Sequence, residues 1–353
     1  MKVLNITISP ANRTGFSNLQ KAFDYITAEK DCCEAFIHLE RGVYEGQFYF
    51  DGYRKESGLP PVKLHIKGDG SAKTLITGCL CATLPFSTSL DGTSFEKRGT
   101  FRSYTLFVSG PEVEMENITI QNTAGLQPPA GCGKEVGQAV ALYADAAIMH
   151  CRHIALKGFQ DTLFTAPLPL AERQPGGFKG PREKTERIPS VQVYDHCYIE
   201  GTVDFIYGGA GVLFNHCSIF VKKQQESIVC YIAAPSADVP AEIPEGALVP
   251  DVYQAGYVFY KCRIDGDAVV PVYLGRPWRP YGRCAYIKCR IGRVIQEAGW
   301  DNWHNPENEK KCCFAEYHNT GAGSVAAGNR RAFGSQLDRS HAYALVALFS
   351  IYK

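Results

Sequence analysis

MENITI at 115–120, DHCYIE at 195–200, NHCSIF at 215–220, YKCRID at 260–265 and IKCRIG at 287–292 are variations on one short strand in which an Asn or Cys leads into isoleucine. Their marker residues Asn117, Cys197, Cys217, Cys262 and Cys289 lie 80, 20, 45 and 27 residues apart, near-multiples of one coil of 20 to 27 residues. A solenoid produces such spacing, because each coil buries its apolar side only against its neighbours and like residues stack in rows. In AAIMHCRHIAL at 146–156, Cys151 and His153 compete for the same row. The cysteines read as small apolar fillers of a narrow core and not as metal ligands, since no CxxC pair is matched by a second one. Cys132, Cys312 and Cys313 fall outside the row and have no assigned role.

Around this ladder the 34 glycines and 20 prolines are spread through the chain, with short β-branched and aromatic runs between them. That pattern predicts an all-β chain. The clearest helix is SNLQKAFDYITAE at 17–29, with Ser17 as its expected N-cap and Leu19, Phe23 and Ile26 on one face, placed to close the open end of the solenoid. Two stretches interrupt the rhythm, 165–190 and 234–250, both rich in proline, glycine or charge, and both read as long loops inserted between coils. The repeat resumes after each, so the reading is one domain over residues 1–353.

Lys plus Arg number 37 against 36 Asp plus Glu, and the net charge of +1 provides no bulk field for nucleic acid or an anionic membrane. Neither partner is expected. No segment approaches the roughly 20 apolar residues of a membrane helix. The first residues carry no signal-peptide pattern, which predicts a cytoplasmic protein with its fourteen cysteines reduced. A chain trimmed of its leader would look the same and would be secreted.

Four segments place polar residues where buried strands would otherwise be apolar: GQAVALY at 137–143, GFQDTLF at 158–164, GTVDFIYGG at 201–209 and YLGRPWRPYG at 273–282. Singly, each has an ordinary explanation in turns, caps or surface charge. In this order, they resemble the signature segments of the pectin methylesterase (pectinesterase) family, and GFSNLQKAF at 15–23, KGDGSAKTLITG at 67–78 and FAEYHNTGAGS at 314–324 extend the resemblance to nearly the whole chain. The resemblance implies a right-handed parallel β-helix with an N-terminal capping helix and long inserted loops. It implies Asp161 as general acid/base, Asp204 as nucleophile, Gln138 and Gln160 as oxyanion donors, and Arg276 as the residue holding the nucleophile. Trp278, Phe159, Phe164 and Tyr207 are the implied sugar-binding aromatics. No metal and no cofactor is implied. The expected partner is methyl-esterified homogalacturonan or oligogalacturonides, and the chain is expected to act as a monomer. Two departures stand out: Gly208 and Gly209 follow Tyr207 where relatives commonly continue with Gly and then Asn or Asp, and Gly158–Phe159 precede Gln160 where Tyr or Asn is frequent.

The chemistry is coherent beside that resemblance. Hydrolysing a carboxylic ester needs a nucleophile, a proton donor for the leaving alkoxide and donors aimed at the developing oxyanion. An Asp204 paired with Arg276 is expected to stay ionised at low pKa, whereas Asp161, facing that negative charge, is expected to hold its proton. Another ester or thioester hydrolase on the same fold, or a non-catalytic polysaccharide-binding β-helix, are the alternative readings.

Overall fold

Three short strands separated by tight corners make up each coil, and the coils stack in parallel. The computed structural model describes residues 2–11, 15–89, 91–132, 136–223, 228–236, 252, 255–325 and 330–352. It divides the chain into two compact units, one of Met1–Ala147, Ile154–Phe164 and Ala171–Glu186, the other of Ile148–His153, Thr165–Leu170 and Arg187–Lys353.

In the first unit the strands Lys2–Ile8, Cys32–Leu39, Lys63–Gly68 and Leu106–Glu116 form one parallel ladder. Gly42–Glu45, Thr74–Gly78, Thr119–Asn122 and Ala155–Lys157 form another. The N-terminal helix runs Leu19–Ala28 and buries Leu19, Ala22, Phe23 and Ile26, with Phe23 5.2 Å from Phe50. Its cap is Asn18 and not Ser17: the Asn18 side chain accepts the N–H groups of Gln20 and Lys21. Asn is as good a cap as Ser.

The second unit shows the complete coil. Ile148–Arg152, Val191–Asp195, Gly211–Asn215, Tyr257–Tyr260, Arg283–Ile287 and Cys313–Tyr317 stack in parallel register. Tyr198–Gly201, Ser218–Val221, Arg263–Gly266 and Arg290–Ile291 make a second ladder, and Ile206–Gly208, Cys230–Pro235 and Val272–Gly275 a third. This is a parallel β-helix. Inside it Tyr194, Phe214, Phe259 and Tyr286 stack face to face, with centroids 5.2, 4.5 and 4.3 Å apart. On the outer face Val193, Leu213, Val258 and Ile287 are covered by Ala342, Val346 and Phe349. The first two of these belong to a C-terminal helix, Arg339–Ala347, which nothing in the repeat pattern signalled.

The repeat is real but its register is one residue off at two coils. Asn117, His153, His196, His216, Lys261, Lys288 and His318 all sit at left-handed corners with φ between 48° and 59°, and the next residue turns inward. Ile118 therefore takes the slot expected of Asn117, and Ile154 takes the one for which Cys151 and His153 competed; both isoleucines are buried. Cys217, Cys262 and Cys289 fill that slot in their coils, each donating its S–H to a carbonyl oxygen one coil back, on Tyr194, Phe214 and Phe259, at 3.2 Å. All fourteen cysteines are free, and burial pushes the Cys217 and Cys262 thiols up, which suppresses the reactive thiolate. Cys132 packs its sulfur 3.1 Å from that of Cys81.

No strand interrupts the insert between Thr165 and Val191. It is better anchored than a surface loop, however. In the first unit, Phe178 packs edge-on to Phe101 and the buried Arg182 binds Asp145 and, at 3.1 Å, Asp51. In the second unit the insert explains the departure at Gly209: a Cβ there would lie 2.7 Å from the Pro167 carbonyl oxygen and 3.2 Å from that of Ser236. No Asn or Asp fits that space. Gly208, at φ +134°, would bring a Cβ to 2.0 Å from the Thr165 carbonyl oxygen. Of the 234–250 insert, residues 237–250 lie outside the described residues.

Two substitutions report on this scaffold. Phe259→Ala empties the middle of the aromatic stack and is expected to cost about 3–5 kcal/mol, read as a lower urea midpoint. Arg182→Ala leaves Asp145 buried without its cation; a loss of about 3–5 kcal/mol is expected by the same measurement, with faster proteolysis within 171–186.

Candidate active site

In the second unit Asp204 lies in the corner between Tyr198–Gly201 and Ile206–Gly208, at φ +47°, with its carboxylate buried. Arg276 follows the strand Val272–Gly275 and its backbone N–H is fixed on the Ala233 carbonyl at 2.9 Å. From there its guanidinium makes a two-pronged contact: Nε donates to Oδ1 of Asp204 at 2.8 Å and Nη2 to Oδ2 at 2.6 Å. The fork geometry of arginine matches a carboxylate edge in this way, and lysine cannot reproduce it. The guanidinium is itself held between two aromatic faces, Tyr231 at 3.7 Å and Trp303 at 3.8 Å. Such stacking restricts it to the plane of the carboxylate.

Burial pushes the Asp204 carboxyl above its ordinary value, against the downward pull of the Arg276 hydrogen bonds and charge, with Asp301 adding a further upward push. The expected low pKa is therefore corrected: the cost of desolvating the charge outweighs the ion pair. Asp301, buried as well, accepts the backbone N–H of Trp303 at 2.8 Å and so sets the ring that covers Arg276. Tyr231, Asp301 and Trp303 escaped the motif reading. A usable signal was present, because two of the three tryptophans in the chain fall in WDNWHN at 300–305.

Trp278, two residues beyond Arg276, is half-buried, and its backbone N–H donates to the Pro235 carbonyl at 3.1 Å. Tyr207 meets it edge-on at 5.6 Å and is 3% exposed, so Tyr207 supports Trp278 more than it presents a face of its own.

The first unit holds the remaining implied residues. Gln138 follows Gly137, which turns at φ +67°, and its carbonyl accepts the Ala82 N–H at 2.8 Å. Gln160 lies beside it in the rungs: the Ala139 N–H donates to the Gln160 carbonyl at 3.1 Å. Both side chains are half-buried. Asp161 is buried at φ +64°, two residues ahead of the strand Leu163–Thr165, just as Asp204 stands two residues ahead of Ile206–Gly208. The two carboxylates thus occupy the same turn position in their own coils. Phe159 is half-buried and lies across Gly125, where a Cβ would come within 2.4 Å of its ring. Phe164 is fully enclosed, edge-on to Phe101 at 4.9 Å and Tyr143 at 4.7 Å, which leaves no face for a sugar.

The second unit thus holds a carboxylate clamped by arginine, and the first unit, taken by itself, holds a buried carboxylate at a left-handed turn next to two hydrogen-bonded glutamine segments. The family model described as Pectinesterase matches residues 5–174 and 187–345, spanning both units and leaving out part of the first insert. Pectinesterase 31 of Arabidopsis thaliana is 34% identical over 323 residues, which cover 91% of this chain and 84% of that protein. Probable pectinesterase/pectinesterase inhibitor 23 of the same plant is 32% identical over 297 residues; they cover 82% of this chain, which spans only 42% of that longer relative. Among solved structures, pectin methylesterase from carrot superposes with a TM-score of 0.73 at 23% identity, over 98% of this chain and 95% of that one, a likeness of fold. With its fold, its ordered segments and these matches in agreement, the chain belongs to the pectinesterase family.

Proposed function

We propose that this chain is a carboxylic ester hydrolase that removes methyl groups from esterified galacturonate in homogalacturonan or oligogalacturonides, releasing methanol and a free carboxylate. The observation that carries the reading is the Asp204 carboxylate, buried, fixed by two hydrogen bonds from Arg276 and therefore oriented as a nucleophile. Asp204 attacks the ester carbonyl, Asp161 gives its proton to the departing methoxide, and Gln138 and Gln160 donate to the oxyanion. The acyl-enzyme anhydride is then hydrolysed by water that Asp161, now ionised, activates. Glutamine suits the oxyanion role because it donates without a charge that would compete with Arg276 for Asp204. Trp278 and Phe159, each half-buried, are the aromatics left to meet a sugar ring, Tyr207 backs Trp278, and Phe164 is confined to the enclosed cluster.

The decisive measurement is methanol release from highly methylated oligogalacturonides. Asp204→Ala is expected to lower kcat by at least about 10³-fold while the fold stays intact by circular dichroism. Undiminished activity in that variant removes Asp204 from the nucleophile role, and wild-type protein inactive on every methylated galacturonide removes the substrate assignment.

The pH profile follows from the raised pKa of Asp204. The nucleophile works only when ionised, so kcat/KM is expected to fall as the pH drops through a value above that of an ordinary aspartate. Arg276→Gln takes away the group that favours the ionised form, so its acid limb moves to still higher pH, with kcat reduced about 100-fold by the loss of orientation. An acid limb that stays in place in Arg276→Gln would show that another group controls it.

A further inference from the structure

The left-handed corners of the second unit bring six residues into one exposed row, one per coil: His153, His196, His216, Lys261, Lys288 and His318. The first three have neighbouring rings: His196 stacks on His216 at 5.2 Å with planes only 3° apart, and His153 lies 5.5 Å from His196, tilted by 40°. Lys261 lies over Tyr260 at 5.1 Å, and Lys288 bonds the Tyr343 hydroxyl of the C-terminal helix, whose ring Arg339 also approaches at 5.9 Å. The combined field of Lys288, Arg339 and Lys261 pulls the Tyr343 phenol below its ordinary value, Lys288 contributing most. Two positions past the corner, Arg263 and Arg290 stand in register and exposed.

The anions along this edge are fewer, and each is engaged. Asp195 pairs with His196 at 3.1 Å, Asp265 with Arg263 at 2.9 Å, and Asp338 with His341 at 2.8 Å. In a chain of net charge +1, cationic and imidazole groups are therefore concentrated on one line, outside every residue assigned to the ester chemistry.

We propose that this row is a second carbohydrate site, one that binds a linear polycarboxylate, namely a de-esterified run of galacturonate. The identity of the ligand rests on the proposed function; the existence of a polyanion site does not. Paired strands lie about 4.8 Å apart, so the row offers one donor at each such interval. A de-esterified galacturonan carries one carboxylate per pyranose, a repeat of the same order. Imidazole edges add N–H donors and, once protonated, charge. Such a row takes hold of the polymer that the ester chemistry leaves behind and ignores the methylated, uncharged form.

The test is binding of end-labelled, fully de-esterified decagalacturonate, read by fluorescence anisotropy across a salt series. Lys261→Asn with Lys288→Asn removes two charges without straining the corners, because Asn tolerates left-handed backbone. The double variant is expected to bind at least about 10-fold more weakly with a shallower salt dependence, while keeping the thermal midpoint and the methanol release of wild type on a methylated trisaccharide. Asp204→Ala, inactive as an esterase, is expected to bind the decamer like wild type, so a failure of the esterase reading and a failure of this one give different results. Equal binding of decagalacturonate by the double variant overturns the proposal, as does a fully methylated decamer whose binding to the inactive Asp204→Ala protein is weakened just as much by adding Lys261→Asn and Lys288→Asn. Tighter wild-type binding of a single-stranded oligonucleotide of the same charge, lost in the double variant, would assign the row to nucleic acid and likewise overturn it.

Discussion

A coil of three short strands cannot bury its own interior; only the next coil can cover it. That constraint governs the second unit. It requires strands in strict parallel register, inward residues that stack on their counterparts, and a backbone able to turn sharply at the same place in each coil. The Tyr194, Phe214, Phe259 and Tyr286 stack meets the second requirement, and the left-handed corners meet the third. The thiols of Cys217, Cys262 and Cys289, at the inward slot after their corners, are small enough for a narrow interior and still donate a hydrogen bond to the coil behind.

Left-handed backbone at other turns places the two carboxylates. A residue at positive φ points its side chain where regular strand backbone would not, and both Asp161 and Asp204 occupy such positions. Strained backbone of this kind persists only where the surroundings hold it. Around Asp204 the hold is explicit: Arg276 fixes the carboxylate, Tyr231 and Trp303 fix Arg276, and Asp301 fixes Trp303. Orientation is thus passed outward from the Asp204 carboxylate through one cation to three residues that do not themselves hold it. The upward shift of the Asp204 pKa is the cost of placing that carboxylate out of water.

How much of this was legible in the sequence depended on whether the signal was local. The polar residues of the motif segments stand out against buried-strand sequence, but it is the family resemblance that implies Arg276 as the residue holding Asp204, and the structure joins the two side chains by hydrogen bonds. The solenoid was visible from the spacing of Cys197, Cys217, Cys262 and Cys289, yet the row was misassigned at Asn117 and around His153, since an Asn or His at the corner looks like the inward residue when only one dimension is available. Ser17 was displaced by Asn18 as helix cap for a similar reason: two good caps stood side by side, and only the direction of the chain entering the helix chose between them. Tyr231 and Trp303 were missed because their role comes from packing across coils, not from neighbours in sequence. Phe164 and Tyr207 matched sugar-binding aromatics by position, but burial took their faces.

Pro167 and Gly209 tie the path of the insert to the residue allowed in a motif. The carbonyl of Pro167, in the opening bend of the 165–190 insert, occupies the space that a side chain at position 209 would need. A descendant that shed the insert would leave that space vacant beside the rung, and one that regained a side chain at 209 would have to redirect the bend first. Because the obstacle is a backbone carbonyl, it constrains the path of the chain at 167 and not the residue type there, so a side chain at 209 requires a rerouted bend before it can be accommodated.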